Sequence, residues 1–144
     1  MKSRINPLLA GATALVLAIA SIISLPTPAQ AQTQMGLKIP FDFYVKDKLF
    51  EAGSYTVQVY ASYIRVSNDH GRNIYALTMP VTNPTWRSMA ASGALVFTRY
   101  EDHVFLTEVR RSGYSVGNGL SRSSLEAEIA RNHPGSTLIA INSK

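Results

Sequence analysis

Apolar and polar residues alternate with a period of two through much of this chain, and this pattern constrains its fold more than any other feature. Successive side chains of a β-strand point to opposite faces, so each alternating segment predicts a strand with one buried face. The segments are rich in the β-branched and aromatic residues that pleated sheets favour. Nine of them are predicted to be strands or strand-like runs: residues 37–45, 49–51, 55–60, 63–67, 73–79, 95–100, 104–110, 114–116 and 136–142.

Turn-forming residues separate these segments at short intervals. Gly53 precedes the strand at 55–60, residues 68–71 (Asn-Asp-His-Gly) follow the strand at 63–67, and residues 101–103 (Glu-Asp-His) follow the strand at 95–100. Residues 118–119 (Asn-Gly) are interpreted as a further turn. Short strands with a turn about every ten residues are typical of an antiparallel meander.

One helix is predicted near the C-terminus. Ser123 is followed three residues later by Glu126, which is the spacing of a capping box, and residues 132–135 (Asn-His-Pro-Gly) stop the helix. The prediction is therefore an all-β fold, an antiparallel β barrel or sandwich of about seven short strands with one short helix. Periodicity leaves the choice between barrel and sandwich open because it does not encode strand order.

The first 31 residues have the pattern of a cleaved signal peptide. Lys2 and Arg4 precede an uncharged apolar run at residues 8–25, and Ala29 and Ala31 supply a small-x-small cleavage pattern. The alternative is an uncleaved membrane anchor, since 18 residues just span a bilayer. We predict residues 1–31 as a signal peptide cleaved after Ala31 and residues 32–144 as one β-rich domain. The protein is then exported to the periplasm or the extracellular space, with no membrane span after cleavage.

Charge and composition exclude several classes of protein. Removing Lys2 and Arg4 from 14 basic residues leaves 12 against 9 acidic ones, a net charge of +3 that is too mild to indicate nucleic-acid binding. The chain has no cysteine, so its stability cannot depend on disulfides. The remaining domain is also too short for a barrel of alternating strands and helices.

Three patches of sequence resemble a group of small exported proteins that are abundant in acidobacterial genomes. The patches are residues 39–57 (beginning Ile-Pro-Phe-Asp-Phe-Tyr-Val), residues 95–109 (Leu-Val-Phe-Thr-Arg-Tyr, then Val-Phe-Leu-Thr-Glu-Val) and residues 123–128 (Ser-Ser-Leu-Glu-Ala-Glu). The resemblance implies a secreted, mostly β domain. It implies no activity and carries over no catalytic residue.

A five-residue motif, Gly113-Tyr114-Ser115-Val116-Gly117, matches the nucleophile elbow of hydrolases. A carboxylate at Glu126 or Glu128 and the imidazole of His133 follow Ser115 in the order that such enzymes use. The context is unfavourable, because an elbow needs a helix that starts at the serine, whereas glycines follow Ser115 here. A small hydrolase using Ser115 is therefore an alternative hypothesis, and the favoured interpretation is a glycine-punctuated hairpin.

Two Asp-His steps, Asp69-His70 and Asp102-His103, lie in predicted turns. If both turns lie at one end of the meander, their imidazoles and carboxylates could meet around a divalent metal. Ordinary turn composition explains the same residues, since Asp and Asn bond their own backbone in turns. We predict neither a metal site nor a cofactor.

The longest irregular stretch, residues 80–93, is the candidate binding segment. Trp86, Arg87 and Met89 would supply an aromatic plate, a cation and a flexible apolar side chain. The sequence thus favours a non-catalytic exported β domain that binds a small apolar ligand, a glycan or an envelope protein. A structural or assembly protein that pairs through a strand edge is the other main alternative.

Overall fold

The alternating segments fold into strands that are joined mostly by short turns. The computed structural model describes residues 33–82 and 92–143, so the predicted signal peptide lies outside the described residues. In this part of the chain the elements are β1 (Thr33–Ile39), β2 (Phe43–Val45), β3 (Lys48–Phe50), β4 (Gly53–Val59), β5 (Tyr63–Asn68), β6 (Asn73–Val81), β7 (Ala94–Tyr100), β8 (His103–Arg110), β9 (Gly117–Leu120), α1 (Ser124–Asn132) and β10 (Thr137–Asn142). The predicted all-β fold with one helix near the C-terminus is confirmed.

Eight of the strands form one antiparallel series, in the order β1-β4-β5-β6-β9-β8-β7-β10. The hairpin of β2 and β3 joins this series through a parallel contact between β2 and β8, where Tyr44 lies beside Phe105. The described residues contain ten strands, whereas about seven were predicted. The nine alternating runs become ten strands because the run at residues 37–45 is divided into β1 and β2.

Strand β6 belongs to both halves of the sheet. Residues 73–77 pair with β5, and residues 78–81 pair with β9. The sheet therefore bends at β6. Its two halves face each other across one core, as in a β-sandwich. The ring of strands is not closed.

Aromatic rings join the two halves at the centre of the core. Phe43 of β2 is fully buried and contacts three other rings, with centroid distances of 5.7 Å to Phe50, 5.1 Å to Tyr55 and 5.4 Å to Phe97. Tyr55 is on β4 and Phe97 is on β7, so Phe43 packs against both halves. The Phe43 side chain thus fills the core between the two layers and sets the distance between them.

Two strand predictions were wrong in their limits. The run at residues 37–45 is divided into β1 and β2 at Pro40, which lacks an N–H, and at Asp42, whose carboxylate accepts the Ala52 N–H at 2.7 Å. The strand predicted at residues 114–116 lies instead at Gly117–Leu120, and residues 118–119 are not a turn. Strand β9 forms despite its glycines because β6 and β8 supply backbone partners on both of its sides.

The helix prediction is confirmed at both ends. The hydroxyl of Ser123 accepts the Glu126 N–H at 3.2 Å, so Ser123 caps the helix as its spacing from Glu126 predicts. His133 is the C-cap residue. The turn between β2 and β3 holds the N-terminal end of α1, because Lys46 donates to Ser121 Oγ at 2.6 Å and Asp47 accepts the Leu125 N–H at 3.1 Å.

Candidate functional site

A groove of about 310 Å³ lies where β6, β9, β8 and β10 present the face opposite the core. Gly119 of β9 lines it, and Gly117 lies two residues earlier on the same strand. A Cβ atom at Gly119 would stand 2.6 Å from Val81 Cγ1, and a Cβ atom at Gly117 would overlap the Glu108 carboxylate. Glycine at these two positions therefore lets the side chains of Val81 and Glu108 pack closely against β9.

A β-bulge in β8 shapes the floor of the groove. Val96 is opposite Glu108, the next pair is Phe97 with Leu106, and Thr107 is left without a partner residue. The Thr107 hydroxyl donates to the Val96 carbonyl at 3.2 Å and accepts from the Thr98 hydroxyl at the same distance. Bulges of this kind re-aim side chains and are frequent beside functional sites. Here the bulge lets residues on both of its sides face the core while Val96 and Glu108 face the groove.

One carboxylate lies at the floor of the groove. Glu108 Oε1 is 2.7 Å from Arg110 Nε, and the side chains of both residues are only 12–14% exposed. A charge pair with so little contact with water is costly unless it is well compensated. Together with Thr82 and Thr107, which also line the groove, Glu108 gives a ligand polar groups to contact.

The walls of the groove are mainly apolar and partly open to solvent. Met79 of β6 is 59% exposed and Leu138 of β10 is 54% exposed, although both are large apolar side chains. Val81 and Leu120 complete the apolar lining. Apolar walls with a small number of polar groups are typical of small-molecule sites.

The predicted binding residues Trp86, Arg87 and Met89 lie outside the described residues. The chain on either side of them is described. Thr82, the last described residue before them, lines the groove. The prediction for Trp86, Arg87 and Met89 therefore stays a prediction, and the sequence did not predict the groove residues themselves.

Ser115, Glu126 and His133 each have surroundings that do not favour the hydrolase hypothesis. Ser115 is exposed in a bend and is followed by strand β9, so the strand-to-helix turn of a nucleophile elbow is not formed. Glu126 is buried beside the Tyr100 hydroxyl, and His133 Nδ1 is 2.8 Å from the carboxylate of Glu101. Glu128 is exposed on α1.

The two Asp-His turns contact different parts of the molecule. Asp69 and His70 share a small cleft with Glu51 at the start of β4, while the ring of His103 lies 6.0 Å from that of Tyr44. Among the described residues, no group of three or more His, Asp or Glu side chains is close enough to hold a metal ion.

A second candidate surface is the outer face of β5 and β6. Tyr60 and Tyr63 are stacked with centroids 4.4 Å apart, and the Tyr75 ring is 6.0 Å from that of Tyr63. The guanidinium of Arg65 lies 5.9 Å from the centroid of Tyr75. Tyr75 is 59% exposed and Leu77 is 74% exposed, so this face presents an aromatic and aliphatic patch to solvent. Exposed patches of this kind often mark interaction sites.

Three comparisons with known proteins give no relative on which a function can be based. No protein-family model matches the chain, and no curated protein or solved structure matches it. The resemblance to exported acidobacterial proteins stays a prediction. Within residues 33–82 and 92–143, no helix is long and apolar enough to cross a membrane.

The sequence did not identify the residues of the groove. In the sequence alone, Gly119 follows Asn118 and therefore looks like a turn residue. Glu108 looks like an ordinary polar residue on the solvent side of an alternating strand. One signal was present, since Gly117 and Gly119 are spaced two residues apart and place two missing side chains on the same face of a strand. That signal identifies a site only when the neighbouring strands are known.

Proposed function

We propose that this chain is an exported, non-catalytic β domain that binds a small, largely apolar ligand in the groove beside β9. The observation that carries the proposal is the groove lining, in which two large apolar side chains, Met79 and Leu138, stay 59% and 54% exposed. The Glu108–Arg110 pair supports it by adding a polar group to this lining. A ligand with an apolar body and one polar group fits this lining best.

Ligand binding is tested first by native mass spectrometry of the protein expressed from its full-length sequence. We expect a reproducible additional mass, which denaturation releases. The denatured mass also tests export, because cleavage after Ala31 leaves a chain that begins at Gln32. A chain that keeps its first 31 residues would contradict the export part of the proposal and leave the groove untouched.

The groove is tested with a matched pair of glycine variants and a neutral apolar dye, N-phenyl-1-naphthylamine. Gly119→Val adds a side chain to the groove lining and displaces Val81, whereas Gly36→Val adds the same side chain to β1, where a Cβ atom would have no neighbour within 4 Å. We expect the dye to bind at least about tenfold more weakly to Gly119→Val and unchanged to Gly36→Val, a loss of roughly 1.4 kcal/mol. Equal binding to both variants, with no additional mass in the native protein, would contradict the proposal.

A glycan is the second candidate ligand, and the tyrosine face of β5 and β6 favours it. Exposed aromatic rings combine a large apolar surface with a polar hydroxyl, which suits the mixed character of sugars. Retention on insoluble polysaccharide should fall in Tyr75→Ala and persist in Tyr114→Ala. Tyr114 is a suitable control because it is 50% exposed and lies away from this face, beside Arg111. Equal retention of the two variants would exclude the tyrosine face.

A further inference from the structure

Arg65 lies within the tyrosine face of β5 and β6. Ile64 and Val66, on either side of it in β5, are fully buried, so the Arg65 side chain points away from the core. Its neighbours on the adjacent strands are Gln58 of β4 and Tyr75 of β6. No other charged residue occurs in β4, β5 or β6. These three strands therefore carry one positive charge and no negative charge.

The guanidinium of Arg65 is not paired with an anion in the part of the chain that the structure describes. The ion pairs found there involve Arg110, Arg122 and His133. The Nε atom of Arg65 is shielded from solvent and donates no hydrogen bond to a described group, although the side chain as a whole is only half-buried. Its contact with the Tyr75 ring, 5.9 Å from the centroid, does not occupy its N–H donors. A cation that is partly removed from water attracts an added anion more strongly than a fully hydrated one does.

The aromatic part of the face begins next to Arg65. Tyr63 is two residues earlier in β5, so its side chain points in the same direction as that of Arg65, about 7 Å away along the strand. Tyr63, Tyr75 and Leu77 line a depression of about 280 Å³. The two tyrosines offer apolar surface together with hydroxyl groups, which suits a sugar ring. A sugar in this depression can therefore place an acidic substituent beside Arg65.

We propose that the ligand of the tyrosine face is an acidic glycan, whose sugar rings pack on Tyr63 and Tyr75 and whose carboxylate pairs with Arg65. The inference rests on the glycan site proposed above and names the class of sugar that it takes. A guanidinium presents its N–H donors in a planar fork that matches the two oxygens of a carboxylate. A neutral sugar would leave the charge unpaired. A nucleic acid is a poorer match, because its binding depends on several cations that contact phosphates.

The first test compares two ligands that differ in charge, trigalacturonate and its methyl ester. Isothermal titration calorimetry measures their binding in about 0.15 M salt, where attraction between distant exposed charges is largely screened. We expect the acid to bind at least about tenfold more tightly than the ester, because only the acid has carboxylates that can pair with Arg65. Equal affinities, or no binding of either sugar, would overturn the proposal. Tighter binding of an oligothymidylate than of trigalacturonate would also overturn it and would assign the face to nucleic acids.

The second test compares two arginine variants. Arg65→Gln removes the charge from the tyrosine face, whereas Arg99→Gln removes the same charge from an exposed position of β7, in the other half of the sheet. We expect Arg65→Gln to bind the acid about tenfold more weakly and the ester unchanged. Arg99→Gln should keep both affinities of the unmodified protein.

A loss of the same size in both arginine variants would overturn the proposal, because the net charge of the protein and not the position of Arg65 would then attract the acid. Unchanged binding of the acid to Arg65→Gln would overturn it as well. The melting temperature of each variant shows whether it is folded. If Arg65→Gln unfolds, the comparison of acid and ester with the unmodified protein remains decisive.

Tyr75→Ala separates failure of this inference from failure of the glycan site. Loss of the ring should weaken the binding of acid and ester alike. If Tyr75→Ala binds both sugars as the unmodified protein does, the face is not the glycan site and both proposals fail. If it binds both more weakly while the unmodified protein does not distinguish acid from ester, the glycan site stands and only the preference for acidic sugars fails. Neither outcome bears on the groove beside β9.

Discussion

Gly119 shows most directly how one residue determines the packing beside the groove. Its missing side chain lets Val81 pack against β9, and a Cβ atom there would lie 2.6 Å from Val81 Cγ1. Replacing it with alanine should destabilise the fold by about 1–3 kcal/mol, because a well-packed strand must shift to admit the methyl group. Urea unfolding measures this cost. Gly36→Ala is the control, where the methyl group meets open space and should be neutral or slightly stabilising.

Glu126 is the residue at which pH should act on stability. Burial raises the pKa of its carboxyl above the ordinary value of 4.5, and the nearby charge of Arg122 opposes this only in part. The folded state therefore binds this proton more tightly than the unfolded chain does. The resulting stabilisation is fully present below the unfolded pKa and is lost as pH rises through the folded pKa.

A glutamine at position 126 tests this pH dependence, because it keeps the acceptor of the capping box and removes the charge. We expect the melting temperature of Glu126→Gln to increase relative to that of the unmodified protein as pH rises from about 4 toward 7. A raised carboxyl pKa lies in this range, so the unmodified protein becomes charged at this position there. Glu128→Gln, at an exposed position of the same helix, should follow the unmodified protein. Parallel curves for the two variants would contradict the assignment.

At the scale of the element, α1 depends on its cap and on its contacts with the β2–β3 turn. Ser123 is 8% exposed, and its hydroxyl satisfies a backbone N–H that has no partner within the helix. Ser123→Ala should therefore lower the free energy of unfolding by about 1 kcal/mol. Ser124→Ala, one residue later and exposed, should change it by less than about 0.5 kcal/mol. Equal effects in chemical denaturation would show that the cap does not stabilise the helix.

At the scale of the whole molecule, Phe43 joins the two halves of the sheet. Its ring contacts residues of β3, β4 and β7, so its removal leaves a cavity between the layers. We expect Phe43→Ala to cost about 3–5 kcal/mol, a large part of the roughly 5–15 kcal/mol that stabilises a typical domain. Leu49→Ala removes a side chain from the same hairpin that is 43% exposed, and it should cost far less. Urea unfolding of both variants measures the difference.

Local patterns in the sequence determined the fold class, most strand positions and both ends of α1. Alternation at β4, β5, β7 and β8 follows from the geometry of a single strand, and the Ser123 cap needs only residues three apart. The turn predicted at residues 118–119 was wrong. The turn preference of Asn-Gly is a local property, whereas the strands that pair with β9 and keep it extended, β6 and β8, are distant in sequence.

Tertiary structure alone decided the groove, the bulge and the surroundings of Arg65. Val81 and Glu108 pack against Gly119 and Gly117 only because the fold brings these strands together, and Thr107 forms a bulge only against Val96. The charge of Arg65 was visible in the sequence, but its position beside Tyr75 of the neighbouring strand was not. Strand order and register bring together residues that are far apart along the chain, and a period of two carries no information about which strands those will be.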